Sequence, residues 1–108
     1  MIKAEIYVSE LGSIVGFSIS GHSDFSQSGT DIVCAAVSSA AYMTVNTLTD
    51  VIRADVDVNV NDKLGIMRAF VSEKDVPRCS DILSGFKMHL ILLEEMYSEN
   101  IKVNYVEV

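Results

Sequence analysis

The sequence predicts an α+β fold, in which a mostly antiparallel five-stranded sheet carries two helices on one face. In five short segments apolar residues alternate with polar ones, as in half-buried strands. In two longer segments they recur every three to four residues, as in amphipathic helices. The order is β-β-α-β-β-α-β, and placing both helices on one side of the sheet is the simplest way to bury their apolar stripes. With 108 residues, 49% of them hydrophobic, the chain is expected to form a single domain over residues 1–108.

The first two strands come from the first twenty residues. Every second residue from Ile2 to Val8 is apolar, which predicts a strand with one buried face. The same alternation argues against a signal peptide, which would need a continuous apolar run. A turn at residues 10–13 contains Gly12 and leads into a second strand over residues 14–20.

The first helix is predicted from Val33 onward, where apolar residues take up helical spacing and keep it to Ile52. A third strand follows at residues 56–60, where valines alternate with aspartate and asparagine. Residues 61–63 form a turn, and residues 64–71 form a fourth strand. No apolar run approaches the roughly 18 residues of a membrane span, so no membrane partner is expected.

The second helix is predicted to begin near Asp75, with Pro77 in its first turn, where proline is tolerated. Asn100 can close this helix, and residues 101–108 have the alternation of a last strand. The order of the strands within the sheet does not follow from these patterns.

Composition narrows the possible functions. The formal net charge of −7 argues against binding to nucleic-acid phosphates and suits a basic partner. The two cysteines, without an export signal, indicate free thiols in a reducing cytoplasm. Their spacing fits no paired-cysteine or paired-histidine zinc pattern, so neither a metal nor another cofactor is expected.

Cys34 is the candidate nucleophile. If Thr30 or Asp31 caps the helix, Cys34 lies in the first turn, where the positive end of the helix dipole favours the ionised thiol. The alternative is a structural cysteine packed as a small apolar residue. Cys79 falls on the apolar stripe of the second helix and is predicted to be such a core residue.

His22 is the candidate general base and acid. It follows Gly21 at the end of the second strand, so it would project from a rigid element and could accept the thiol proton. Asp31 has two predicted roles that remain open, as the helix cap or as the residue that orients His22. Asp24 is a weaker candidate for the orienting role.

The segment between the histidine and the cysteine is a candidate substrate loop. It contains Ser23, Asp24 and Phe25 and is bounded by Gly21 and Gly29. Flexible glycines at both ends suit a lid that closes on a substrate, and an exposed phenylalanine could contact an apolar peptide. An ordinary surface loop has the same composition.

These motifs resemble a known family. Gly21-His22, followed by a glycine, one residue and Asp31-Ile32-Val33-Cys34-Ala35-Ala36-Val37-Ser38, is similar to the ribosomal-processing cysteine proteases called Prp. Length and element order agree over essentially the whole chain. Ser23 stands where the family usually has alanine, which could alter the packing of the loop.

The resemblance implies a cytoplasmic bacterial endopeptidase with a His22–Cys34 dyad and no cofactor. Its substrate would be a large-subunit ribosomal protein, number twenty-seven in the usual series, which loses a short N-terminal extension after an apolar, phenylalanine-containing segment. The resemblance also implies a homodimer whose loop after the histidine moves on substrate binding. Backbone N–H groups at the start of the helix would hold the oxyanion. The alternatives are a non-catalytic ribosome-associated binding module with a structural Cys34 and a redox-sensing thiol protein.

Overall fold

The computed structural model describes residues 1–21 and 28–108, with the backbone alone for residues 28–31. The predicted element order is confirmed. The elements are β1 (Ile2–Val8), β2 (Ile14–Ser20), α1 (Ser28–Asn46), β3 (Val56–Asn61), β4 (Ile66–Val71), α2 (Val76–Met96) and β5 (Ile101–Glu107). A π-helical turn, Thr47–Val51, extends α1, and a 3₁₀ turn, Glu73–Asp75, leads into α2.

The five strands form one sheet in the order β3-β4-β2-β1-β5. Three neighbouring pairs are antiparallel, and β1 and β5 are parallel, so the sheet is mostly antiparallel, as predicted. A register shift between Tyr7 and Val8 sets Val8 opposite Ile14. The first and last strands are therefore neighbours, and β5 forms one edge of the sheet.

Both helices pack on the same face of the sheet, which confirms the predicted architecture. Phe17 of β2 lies at the centre of the core, and its ring centroid is 4.6 Å from that of Phe86 on α2. The α1 side of the core consists of every third or fourth residue of that helix, as expected for an amphipathic helix on a sheet. Its fully buried members are Val33, Val37, Ala41, Thr44 and Leu48.

Three predicted boundaries differ from the structure. α1 begins at Ser28 and not at Val33. β4 begins at Ile66, because the preceding turn is longer than predicted and passes through Gly65, whose φ is +62°. α2 ends at Met96, so Asn100 does not close it. The Asn100 carbonyl instead accepts a hydrogen bond from the Ile2 N–H at 2.8 Å, which joins β1 to the start of β5.

Among the described residues, the segment Ile32–Val51 is the one helix whose length and mean hydropathy of 1.3 would allow it to cross a membrane. A helix that packs in a protein core can have the same length and composition. In the folded chain one stripe of this helix packs on the sheet, and Ile32 and Met43 on its outer side are 58% and 53% exposed. Core packing therefore accounts for only part of its apolar surface.

The start of α2 is tied to the segment that leads into β3. The Asp75 carboxylate accepts hydrogen bonds from the Asp55 N–H at 2.8 Å and from the Arg78 guanidinium at 3.1 Å. Mainly because of the bond from Asp55, with a further contribution from Arg78, the pKa of the Asp75 carboxyl lies below its ordinary value of 3.8. Pro77 lies in the first turn of α2, as predicted.

Candidate active site

Cys34 lies in an open cleft between α1 and the β3–β4 hairpin. Its side chain is half-buried, and the cleft has a volume of about 420 Å³, which falls within the range of ordinary ligand sites. The α1 wall consists of Cys34, Ala35, Ser38 and Tyr42, and the hairpin wall consists of Val60, Asn61, Asp62, Gly65, Ile66 and Met67.

Helical spacing explains the α1 wall. Cys34, Ser38 and Tyr42 are four residues apart, so they fall on one side of the helix. Ala35 and Ser38 are small and leave room beside the sulfur for a peptide backbone. Tyr42, which is 47% exposed, forms the far end of this wall. The cleft can therefore accept an extended chain that passes the thiol.

The hairpin wall is held in shape by its turn. The Asn61 side chain accepts a hydrogen bond from the Leu64 N–H at 3.1 Å, and the Gly65 N–H donates to the Asp62 carbonyl at 3.3 Å. Asp62 is exposed at the rim and places a negative charge at the mouth of the cleft. This rim suits a peptide that carries positive charge.

β2 brings the chain to the same cleft. Ile19 pairs with Met67, which lines the cleft, and Gly21 follows two residues later. Gly21 has φ +84°, and a β-carbon there would collide with the carbonyl oxygen of Met1. Gly21, expected as a flexible end of the candidate substrate loop, thus makes a tightly fitted turn that only glycine can make without strain. His22 is the next residue and, with Ser23, Asp24 and Phe25, lies outside the described residues.

The earlier start of α1 corrects two expectations. Cys34 is the seventh residue of α1 and lies in its second turn, and Asp31 lies within the first turn instead of capping the helix. Gly29, predicted as the second end of a loop, is also helical. Serine, threonine and aspartate all favour N-caps, and several of them precede Cys34, so the sequence pattern could not select among them.

The helix start still places unpaired amides close to the thiol. The N–H groups of the N-cap and of the first three residues of a helix have no partner within it, and in α1 those first three residues are 28–30. Because Cα–Cβ bonds tilt toward the helix N-terminus, a side chain covers the turn that precedes it. The Cys34 side chain therefore leans toward residues 30 and 31, at the end of the turn that carries these free donors.

Comparison with known proteins places this geometry in a family. The family model for the cysteine protease Prp matches residues 1–102. The ribosomal processing cysteine protease Prp of Staphylococcus aureus is 30% identical over 105 residues, which is 97% of this chain and 99% of that protein. The chain belongs to the cysteine protease Prp family. It is therefore a cysteine protease, and the resemblance found in its sequence is confirmed.

A second relative and a solved structure support the assignment. The Prp of Bacillus subtilis is 25% identical over 107 residues, which is 95% of this chain and 96% of that protein. A crystal structure of the S. aureus Prp in complex with a substrate peptide has a TM-score of 0.90 and 29% identity, and the match covers 98% of this chain and all of that one. The Prp fold and the mixed sheet with two helices are thus shared.

The second cysteine of this Prp family member has no place in the cleft. Cys79 on α2 is fully buried in the core, which confirms the sequence-based expectation. Burial raises the pKa of its thiol, although the Arg78 charge opposes the rise. Cys34 and Cys79 are both free cysteines.

The sequence analysis missed the hairpin and Tyr42 as parts of the site. The four-residue spacing from Cys34 through Ser38 could have identified Tyr42. Asn61 and Asp62 could not be found in this way, because their position depends on the order of strands in the sheet.

Proposed function

We propose that this Prp family member removes a short N-terminal extension from large-subunit ribosomal protein number twenty-seven. Cys34 is the nucleophile in this proposal, and His22 is the general base and acid. The observation that carries it is the half-buried Cys34 in a cleft open to a peptide. In support, a S. aureus Prp structure contains a covalently linked product peptide.

The reaction is an acyl transfer. The Cys34 thiolate attacks the scissile carbonyl carbon, and the new oxyanion accepts hydrogen bonds from the free amides of residues 28–30. The C–N bond then breaks as His22 donates a proton to the leaving amine. Water, losing its proton to His22, hydrolyses the resulting thioester and regenerates the thiol. The role proposed for Asp31 is to orient His22, and the start of α1 at Ser28, three residues before it, supports this role over that of the helix cap.

Charge and surface chemistry support the choice of substrate. The formal net charge of the chain is −7, and Asp62 lies at the rim of the cleft, so the enzyme attracts a basic ribosomal protein. Tyr42, Ile66 and Met67 line the interior and offer apolar surface to the residues before the scissile bond. We place the reaction in the cytoplasm, where free thiols such as Cys34 and Cys79 stay reduced.

We also propose that two copies associate through the outer face of the helices. A groove of about 580 Å³ runs between α1 and α2 and is lined mostly by small and apolar residues. Large apolar side chains of the two helices are exposed, which is typical of an interaction surface. These are Ile32, Met43, Met88, Leu92 and Met96.

The test is cleavage of the ribosomal protein in its extended form. The purified enzyme and a His22→Ala variant are each incubated with it, and the intact mass of the product is measured. We expect the enzyme to yield one shortened protein and the variant to be slower by at least about 100-fold, the usual contribution of a general base or acid. Enzyme alkylated at Cys34 is the inactive control. An unchanged substrate mass would reject this substrate, and an undiminished His22→Ala rate would reject the dyad.

A further inference from the structure

The edge of the sheet beside the cleft is strand β3. Within residues 1–21 and 28–108, β3 pairs only with β4, and its last residues, Val60 and Asn61, line the Cys34 cleft. An edge strand presents a row of backbone N–H and C=O groups with which another extended chain can pair. This open edge therefore ends at the Cys34 cleft, where the protease has to hold its substrate.

The hydrogen-bond pattern shows which groups of β3 are available. Just before the strand, the Asp55 carbonyl accepts a hydrogen bond from the Ser72 N–H at 2.8 Å. In an antiparallel pair, residues that bond across the pair alternate with residues that do not. Every second residue after Asp55 thus bonds to β4, and the backbone groups of Val56, Val58 and Val60 point away from the sheet.

The other edge of the sheet differs in this respect. On β5, the Val103 N–H donates to the Glu94 carboxylate of α2 at 2.6 Å, so a helix side chain blocks pairing there. Among the described residues, the outward backbone groups of Val58 and Val60 have no such partner. Of the two edges, the one that borders the cleft is left open.

We infer that the substrate peptide binds by adding a strand to β3, with Val58 and Val60 as its hydrogen-bonding partners. This inference rests on the proposed proteolysis and specifies how the peptide is held. Successive side chains of an added strand point to opposite faces of the sheet. One set enters the cleft between the hairpin and α1, where Tyr42 and Met67 supply apolar contacts, and the other set faces outward. The enzyme therefore recognises an extended peptide with apolar residues at alternate positions.

The first test alters the substrate and leaves the enzyme unchanged. A series of synthetic peptides spans the N-terminal extension of the ribosomal protein, and each peptide carries a single backbone N-methyl group at a different residue. The scissile peptide bond and the peptide bonds on either side of it are left unmodified. We expect kcat/KM to fall about 3- to 10-fold at alternate residues of the segment that pairs with Val58 and Val60, the effect of one lost hydrogen bond, and by less than about 2-fold at the other positions. Uniform or absent effects would overturn strand addition.

The second test alters β3. Val58→Pro removes one outward N–H, a change that edge strands tolerate, and should lower kcat/KM for the unmodified peptide by the same about 3- to 10-fold. Tyr105→Pro, two residues beyond Val103 on the opposite edge, is the matched control and should leave kcat/KM within about 2-fold. The alkylation rate of Cys34 should stay the same in both variants, since the thiol is not touched. A Val58→Pro enzyme with normal kcat/KM would contradict the inference.

The outcomes separate the two proposals. If the unmodified peptide is not cleaved by the wild-type enzyme, the proposed function fails. If it is cleaved and the N-methyl series shows no alternation, only strand addition fails. Should Val58→Pro not fold, as judged by circular dichroism, the peptide series decides alone.

Discussion

Two glycines with the same backbone conformation allow a test of the turn at Gly21, the residue before His22. Gly12 has φ +83° and Gly21 has φ +84°, but only Gly21 is crowded. A β-carbon at Gly12 would meet nothing within 4 Å, whereas at Gly21 it would collide with the carbonyl oxygen of Met1. Alanine in the left-handed conformation at either position lowers the free energy of unfolding by about 1–2 kcal/mol. The comparison therefore isolates the effect of the collision.

The collision cannot be relieved cheaply, because it involves backbone. Ile2, next to Met1, is fully buried and donates its N–H to the Asn100 carbonyl at 2.8 Å. Overpacking of this kind costs about 1–3 kcal/mol. We therefore expect Gly21→Ala to lower the free energy of unfolding by about 2–5 kcal/mol in total, and Gly12→Ala by about 1–2 kcal/mol.

The assays are urea unfolding followed by circular dichroism, and peptide cleavage at a temperature where both variants are folded. Because Gly21 directs the chain into His22, Gly21→Ala should also lose most of its kcat/KM, while Gly12→Ala should keep it. Equal loss of stability in the two variants would refute the reasoning about crowding. A stable, fully active Gly21→Ala enzyme would show that this turn does not position the catalytic segment.

Three further predictions concern other parts of the molecule. Leu92→Asp should shift the protein toward monomer in sedimentation velocity, while Leu11→Asp, at a 94%-exposed turn position, should not; an unchanged profile for Leu92→Asp would reject the proposed interface. Iodoacetamide should modify Cys34 in the native protein and reach Cys79 only after unfolding, as mass spectrometry of the peptides would show; rapid labelling of Cys79 would contradict its burial. Asp75→Asn should lower Tm at pH 7, and the difference from wild type should close as the pH falls below 3.8, the ordinary aspartate value, through the lowered pKa of the folded state; a constant difference would show that the charge is not responsible.

Local patterns were sufficient to predict the elements of this fold. The alternation in β1 and β2 and the helical spacing after Val33 each report one buried face, so element type and order were predicted correctly. The exact start of α1 was not, because Ser28, Thr30 and Asp31 are all acceptable caps and nothing local separates them. The length of the turn before β4 depended on Gly65, a left-handed residue inside a segment predicted as strand.

The candidate site was only half predictable for a related reason. The residues around Cys34 in the sequence were enough to predict it as the nucleophile. The rest of the α1 wall of the cleft follows from helical spacing. The opposite wall comes from residues about thirty positions later, and it reaches Cys34 only because β4 lies beside β2 in the sheet. Strand order depends on long-range packing, which alternation does not encode. Asn61 and Asp62 therefore became visible only in the folded chain.

The most direct test of the central claim compares two cysteine variants in the peptide-cleavage assay. Cys34→Ala should remove cleavage while leaving the circular dichroism spectrum and Tm close to those of the wild type, because the half-buried thiol supports little packing. Cys79→Ala should lose some stability through its core cavity and retain cleavage. The account is contradicted if Cys34→Ala still cleaves the peptide at the wild-type rate.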